Sequence, residues 1–420
     1  MIKIIPNKLK GEIKIVSSKS LSHRYLIGAA LSNGVSQIDN VLDSKDLTAT
    51  KEALNSLGIK IKDNLVYGGT LKVINNIIDA NESGSTLRFL IPISMLLDKP
   101  VTFVGKGLLP KRPLNVYKDI FKDKYLYKQE TKDELPLTVK GPLKPGEFII
   151  PGNVSSQFVT GLLFSLPLLK EDSKIIIKGN LESRSYVNLT LETLKDFKVD
   201  IIEKENEFII PGNQKYITHN TSVPGDYSAA AFFIGAGLIG DKLILKGLKE
   251  KSLQGDAKMI EIVKKMGGNL YFKDNNLIVN PSELTGITVD MEDYPDLGPI
   301  LMALGAVSKG KMTLTNAKRL RIKESDRISA MTHNLNKLGV KTKELIDEVT
   351  VYGKDNLSGD VLLNTFNDHR IAMALAILSI KCENPIYLDD ETVVSKSYPN
   401  FFEEFIRLGG KVSEWFIKTS

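Results

Sequence analysis

Basic residues recur in this chain at the points where helices are expected to begin. Lys19 and Arg24 flank one such point in SSKSLSHR, and Arg88 lies one turn into the segment opened by SGSTLR. Arg112 sits in the turn LPKRP, Lys323 and Arg327 in RIKESDR, His369 and Arg370 directly after Asp368, and Lys396 in SKSYP. A helix N-terminus presents unpaired N–H groups and the positive end of the helix dipole, so it attracts phosphate or carboxylate. Lys and Arg are unfavourable there unless an anion is held between them and the helix, and the planar fork of Arg strengthens such a site. One start taken alone reads as an ordinary cap beside a solvated base. The same arrangement at five or more starts predicts one or two ligands carrying several negative charges.

Isolated acids lie among these cations: Asp296 in YPDLGP, Glu324 in RIKESDR, and Asp46 in LDSKD. By position Asp296 and Asp368 read equally well as helix caps. Glu324 stands between Lys323 and Arg327, where a pure anion site would avoid it. A carboxylate in a cationic cleft suits proton transfer. Ser155, Ser156 and Gln157 in SSQFVTG offer uncharged donors of the kind that fit a polyol. No GxGxxG or GxxxxGK[ST] loop is present. Cys382 follows the apolar run IAMALAILSI and reads as core, as do Trp415 and the aromatics of PNFFEEF.

The elements that carry these residues repeat. Six helix starts are expected at Ser20, Ser85, Ser156, Asp226, Asp296 and Asp368, at intervals of 65, 71, 70, 70 and 72 residues. Ser and Asp are good caps because their side-chain oxygens accept from unpaired helix N–H groups. Each start leads into an apolar run, and each run is followed by an amphipathic helix, a turn and two short alternating strands, as in LTATKEALNSLGIKIKDNLVYGG. The unit is strand–helix–strand–helix–strand–strand, about 70 residues long. The first three caps are Ser and the last three Asp, which suggests two halves of three units. The sixth unit lacks its last strand, and MIKIIPNKLKGEIKIV supplies a spare strand at the N-terminus. The expected domains are therefore 17–224, and 1–16 together with 225–420.

Composition narrows the function. The net charge of +6 suits anionic small molecules but is thin for a dedicated nucleic-acid binder. With 42% apolar and 25% charged residues the 420-residue chain has material for two cores. One cysteine excludes an intrachain disulfide framework and a multi-cysteine zinc site, and four histidines leave little for another metal site. No apolar run approaches the ~20 residues of a membrane span, and the N-terminus does not read as a signal peptide. A cytoplasmic protein is expected.

SSKSLSHR, SGSTLRFL, LPKRP, SSQFVTG, YPDL, LRIKESDR, FNDHRIAM and SKSYP, in this order, resemble the EPSP synthase family, the 3-phosphoshikimate 1-carboxyvinyltransferases. The resemblance covers essentially the whole chain. It implies an α/β fold of two similar domains, each of three βαβαββ units with the helices inside, an inside-out α/β barrel. It implies a monomer without cofactor or metal, acting on phosphoenolpyruvate and shikimate 3-phosphate, with neither nucleic acid nor membrane as partner. Residue by residue, it implies that Lys19, Ser20, Arg24, Ser155, Ser156, Gln157 and Ser183 hold shikimate 3-phosphate, with Asp296 and Lys323 at the ring hydroxyls. Lys19, Gly84, Arg112, Gln157, Arg327, Arg370 and Lys396 would surround phosphoenolpyruvate. Asp296 would accept the proton of the attacking hydroxyl, Glu324 would move a proton at the methylene carbon, and Lys19 would assist.

The chain departs from the best-known bacterial members at Glu82-Ser83-Gly84-Ser85, where they read Asn-Ala-Gly-Thr, and at Arg319, where they carry an Asn that touches shikimate. The nearest rival is the UDP-N-acetylglucosamine 1-carboxyvinyltransferase family. That family carries a loop cysteine among its basic residues, whereas the one cysteine here lies elsewhere.

Overall fold

The computed structural model describes residues 1–414. Trp415 lies outside them. Contacts divide the chain into two units, Lys19–Val223 on the one hand and Met1–Ser18 with Pro224–Ser420 on the other.

Six four-stranded sheets share one topology. In one of them Glu147–Pro151 runs parallel to Ser173–Lys178, which pairs antiparallel with Glu207–Ile210, which pairs antiparallel with Ile202–Lys204. The strands are short, and in most of them buried residues alternate with more accessible ones, as in Ser173–Lys178.

The N-terminal segment forms two strands where one was expected. Ile2–Ile5 fills the sixth sheet, antiparallel to Ile386–Leu388 and Lys411–Glu414. Pro6, which has no N–H, ends it, and Gly11 at φ +113° begins the second. That second strand, Gly11–Lys14, precedes the first helix in sequence but pairs parallel with Leu243–Lys246. Conversely Thr221–Ser222, which precedes the fourth unit, pairs parallel with Gly34–Asp39 of the first. The two crossings of the chain thus exchange the leading strands of units one and four.

Three helices of one unit, Tyr227–Ile239, Gly298–Ala306 and His369–Leu378, are buried almost all round and pack on one another. Their counterparts in the other unit are Lys19–Leu31, Gly84–Ser94 and Gln157–Ser165. Helices apolar on every side must be interior. The amphipathic helices, such as Lys45–Ser56, Arg184–Asp196 and Arg327–Lys337, bury one face only. Gly84–Ser94 and Gln157–Ser165 approach so closely that a Cβ on Gly161 would lie 2.5 Å from the Arg88 carbonyl oxygen. Backbone cannot yield there, so glycine is required, and the approach sets Arg88 against Gln157.

The interior helices do not all begin at the expected caps. Asp226 and Asp368 are caps, accepting from Ala229 N and Arg370 N. Ser156 holds the cap position without a capping hydrogen bond. Ser20 and Ser85 lie inside the first turns of helices that begin at Lys19 and Gly84, and the cap before Gly84 is Ser83, accepting from Thr86 N. Asp296 lies in the 3-10 turn Pro295–Leu297, and its carboxylate is taken by cations instead. Phe401 and Phe405 of PNFFEEF, and Cys382, are core, and burial pushes the Cys382 thiol up to about 12.

Candidate active site

In the unit Lys19–Val223 side-chain hydrogen bonds link five helices pairwise, each to the next, around a ring. Lys19 Nζ lies 3.1 Å from Asp46 Oδ2, joining the helices Lys19–Leu31 and Lys45–Ser56. One turn on, His23 Nδ1 is 2.8 Å from Thr50 Oγ1, which is 2.7 Å from Thr86 Oγ1 on the helix Gly84–Ser94. Burial, with the charges of Lys19 and Arg24, holds the His23 imidazole well below its ordinary value, so it is neutral. From the same helix Arg88 Nη1 donates to Gln157 Oε1 at 2.8 Å, and Gln157 Nε2 donates to Ser85 Oγ at 2.9 Å. Thr160 and Thr190 are linked at 2.9 Å, and Arg24 Nε donates to Thr190 Oγ1 at 2.9 Å, which closes the ring.

Arg24 is buried and also donates to Ser20 O at 2.7 Å and Tyr186 O at 2.9 Å. Burial pulls its guanidinium down to about 10, which leaves it charged at neutral pH. Ser155 Oγ accepts from Gln157 N, and Ser156 is buried beside it. Ser183 is fully buried with φ +53°, a left-handed conformation that costs a non-glycine residue of order 1 kcal/mol. It is held there by Tyr186 N, which donates to its carbonyl at 3.0 Å. Gly84 faces two guanidinium groups: a Cβ there would lie 2.9 Å from Arg112 Nη1 and 3.1 Å from Arg88 Nη1.

In the other unit the cluster centres on two carboxylates. Asp296 Oδ1 accepts from Arg327 Nη1 at 2.7 Å and lies 3.4 Å from Lys323 Nζ, while Oδ2 accepts from Arg370 Nη2 at 3.3 Å. Burial alone would raise the Asp296 carboxyl, but Arg370, Lys323 and Arg327 outweigh it and hold it well below the usual range. Asp368 lies behind, fully buried, with Oδ2 accepting from Arg327 Nε at 2.8 Å and from Ser325 Oγ at 3.0 Å. Glu324 Oε2 accepts from Arg327 Nη2 at 2.6 Å and keeps 22% of its side chain exposed. One guanidinium therefore joins Asp296, Glu324 and Asp368. Burial by itself would lower the Arg327 pKa, and these three carboxylates raise it above the ordinary arginine value.

Lys323 is pulled down to about 8, by burial first and then by Arg319 and Arg327, with Asp296 opposing. Lys396 is buried and donates to Asn367 O at 2.9 Å, in a turn where Phe366 and Asn367 are both left-handed. The arrangement offers an ionised carboxylate ringed by cations, a second carboxylate nearer solvent, and fixed positive charge for anions. Among the described residues no group of three His, Cys, Asp or Glu could hold a metal ion, and no helix is long and apolar enough to cross a membrane.

Asp296, Lys323, Glu324, Arg327 and Arg370 come together in one unit. Lys19, Ser20 and Arg24, and likewise Gly84, Arg112 and Gln157, come together in the other. Sequence reasoning missed the partners behind them: Thr50, Thr86, Thr160 and Thr190, and Asp368 as the ion partner of Arg327. A threonine inside an apolar helix gives no signal of its own, and Asp368 was legible only as a cap.

Comparison with known proteins agrees with this architecture. The family described as EPSP synthase (3-phosphoshikimate 1-carboxyvinyltransferase) matches residues 4–405. A 3-phosphoshikimate 1-carboxyvinyltransferase of Clostridium novyi (strain NT) is 50% identical over 430 aligned positions, covering 99% of this chain and 98% of that one. The protein of that name from Clostridioides difficile (strain 630) is 46% identical with the same coverage. An EPSP synthase structure from Acinetobacter baumannii superposes with a TM-score of 0.82 at 24% identity, covering 98% of this chain and 99% of that one. The enolpyruvyl transferase NikO from Streptomyces tendae gives 0.80 at 15% identity, covering 98% of each. These two show the fold alone. The family match and the relatives at 46–50% identity show more, and the chain belongs to the EPSP synthase (3-phosphoshikimate 1-carboxyvinyltransferase) family.

Proposed function

We propose that the protein transfers the enolpyruvyl group of phosphoenolpyruvate to the 5-hydroxyl of shikimate 3-phosphate, giving 5-enolpyruvylshikimate 3-phosphate and phosphate. The activity is that of the family, and one observation carries it to this chain's residues. A single buried guanidinium, Arg327, joins Asp296 and Glu324, so two carboxylates in different surroundings flank one positive centre.

The chemistry needs three proton transfers. A proton goes to the methylene carbon of phosphoenolpyruvate, which leaves a cationic centre at the neighbouring carbon. The hydroxyl attacks that centre and gives its proton to Asp296, so a C–O bond to the shikimate ring forms while the C–O bond to phosphate is still intact. The methyl group then loses a proton, the bond to phosphate breaks, and the double bond returns. In this reading Glu324 carries the proton at the methyl carbon and Asp296 accepts the proton of the attacking hydroxyl. Asp296 is held ionised, so it accepts strongly but is a poor resting store of protons, which leaves the carbon step to Glu324.

Lys19, Ser20, Arg24, Ser155, Ser156, Gln157 and Ser183 bind shikimate 3-phosphate, with Asp296 and Lys323 at its ring. Gly84, Arg112, Arg327, Arg370 and Lys396 bind phosphoenolpyruvate together with Lys19 and Gln157. Fixed cations around the departing phosphate stabilise charge where it develops. We place the protein in the cytoplasm as a monomer that needs no cofactor.

The test is phosphate release from phosphoenolpyruvate with two acceptors. Release with shikimate 3-phosphate and none with UDP-N-acetylglucosamine is expected. The reverse preference would overturn the reading.

A further inference from the structure

Arg321 belongs to the RIKESDR stretch but to neither substrate set. It lies in the 3-10 turn Lys318–Ile322, which leads through residues 323–326 into the helix Arg327–Lys337. Those four residues belong to neither helix nor strand, yet they carry Lys323 and Glu324. Asp326 caps the helix, with Oδ1 accepting from Ser329 N at 3.1 Å. Its other oxygen, Oδ2, accepts from Arg321 Nη1 at 2.8 Å. One ion pair thus closes the chain into a loop from 321 to 326, with Lys323 and Glu324 inside it.

The same guanidinium fastens the loop to a hairpin. Thr342–Glu344 pairs antiparallel with Val349–Tyr352, and the turn between them carries Leu345 and Ile346. Arg321 Nη2 donates to Leu345 O at 2.6 Å and Nε to Ile346 O at 2.9 Å. Nη1 also donates to Glu344 Oε1 at 2.9 Å, and Ser329 Oγ donates to that oxygen at 2.6 Å. The start of the 3-10 turn is held to the same hairpin, because Lys318 N donates to Asp347 Oδ1 at 2.6 Å and Ala317 N to Asp347 O at 3.0 Å. On its far side the loop is held by Ser325, whose Oγ donates to Asp368 Oδ2 at 3.0 Å. An isolated exposed ion pair adds little to stability. A planar fork that engages two carbonyls and two carboxylates at once fixes a geometry, which the single nitrogen of a lysine could not do.

We propose that Arg321 is a positioning residue that acts through Lys323 and Glu324: by closing the loop on Asp326 and pinning it to the hairpin, it sets Lys323 3.4 Å from Asp296 and Glu324 2.6 Å from Arg327. The inference rests on the reading of Lys323 as a contact of the shikimate ring and of Glu324 as the carrier of the proton at the methyl carbon. Without the fork, the side of the loop that begins at 321 loses its hold, while Ser325 and Arg327 stay anchored on Asp368. Lys323 and Glu324 lie nearest the freed side and shift most. Arg370 and Lys396, which the reading gives to phosphoenolpyruvate, hang from other elements.

The test is steady-state kinetics of the full chain in wild type, Arg321→Gln and Asp326→Asn, with unfolding by denaturant measured beside it. Asn is nearly as good a cap as Asp, so Asp326→Asn removes the ion pair and keeps the helix start. In Arg321→Gln kcat should fall roughly 10–100-fold, the cost of about an ångström of misplacement. KM for shikimate 3-phosphate should rise, and KM for phosphoenolpyruvate should change less. Asp326→Asn should show the same pattern more weakly, and the double variant should lose less than the product of the two single losses. A merely structural role would lower the denaturant midpoint and leave the kinetic constants of the folded protein in place. A kcat within about threefold of wild type in folded Arg321→Gln, or equal KM changes for the two substrates, would overturn the proposal. Should Arg321→Gln fail to fold, Asp326→Asn decides alone, by whether kcat falls and whether the KM changes are unequal. Wild-type turnover with unaltered variants would defeat this inference only, whereas a wild type that releases no phosphate would defeat it together with the function it rests on.

Discussion

Arg327 Nε donates to Asp368 Oδ2 at 2.8 Å, with the two side chains 1% and 0% exposed. Asp368 also caps its helix by accepting from Arg370 N. Asn is nearly as good a cap as Asp, so Asp368→Asn isolates the charge. Removing one partner of a buried pair leaves the other uncompensated and costs about 3–5 kcal/mol. Glu324 and Asp296 still face Arg327, so the loss should fall at the low end of that range, read as a lower denaturant midpoint. A loss below about 1 kcal/mol would show that these two carboxylates suffice.

Arg24→Ala should weaken shikimate 3-phosphate more than phosphoenolpyruvate. Loss of a charge-assisted hydrogen bond costs about 1.5–3 kcal/mol in binding. Arg24 also ties Ser20, Tyr186 and Thr190 together, so unfolding must be measured alongside the calorimetric titration. Equal losses for the two ligands would remove Arg24 from the shikimate 3-phosphate set.

Lys323 gives a pH dependence with two opposite signs. It loses its charge as pH rises through about 8, so shikimate 3-phosphate affinity should fall there. Its folded pKa lies below the ordinary 10.5, so the unfolded chain binds more protons between those values. Its contribution to stability therefore grows as pH rises from about 8 to 10.5, and is lost as pH falls back through about 8. Lys323→Arg should abolish the alkaline limb in binding. Arg319→Asn removes a like charge and should move that limb upward. An unmoved limb in Arg319→Asn would assign it to another group.

Glu324→Gln keeps size and most hydrogen bonding but cannot exchange a proton. Turnover should fall roughly 10²–10⁴-fold, and solvent deuterium should stop entering the methylene group. Shikimate 3-phosphate binding should change little. Wild-type deuterium exchange in this variant would leave Glu324 as a structural partner of Arg327.

The sixfold unit was legible because interior helices are apolar runs at even intervals, and such runs need no distant partner to be recognised. The exchange of leading strands was not. Gly11–Lys14 pairs with a strand more than 200 residues away, and nothing local distinguishes that partner from a nearer one. Cap readings failed at Ser20, Ser85 and Asp296 for a related reason. A polar residue near a helix start has several acceptors and donors to choose from, and Asp296 is claimed by three cations from other elements. The basic residues at helix starts could be named from sequence, but the threonine pairs Thr50–Thr86 and Thr160–Thr190 that tie their helices together could not.

The most direct measurement follows the carbon skeleton. Phosphoenolpyruvate labelled at its central carbon is incubated with the protein and shikimate 3-phosphate, and the products are read by carbon NMR while phosphate is counted. Expected is one phosphate released for each label that appears in an enol ether on the shikimate 5-oxygen. Phosphate release with the label found in pyruvate, or label transfer that ignores shikimate 3-phosphate, would contradict enolpyruvyl transfer to this acceptor.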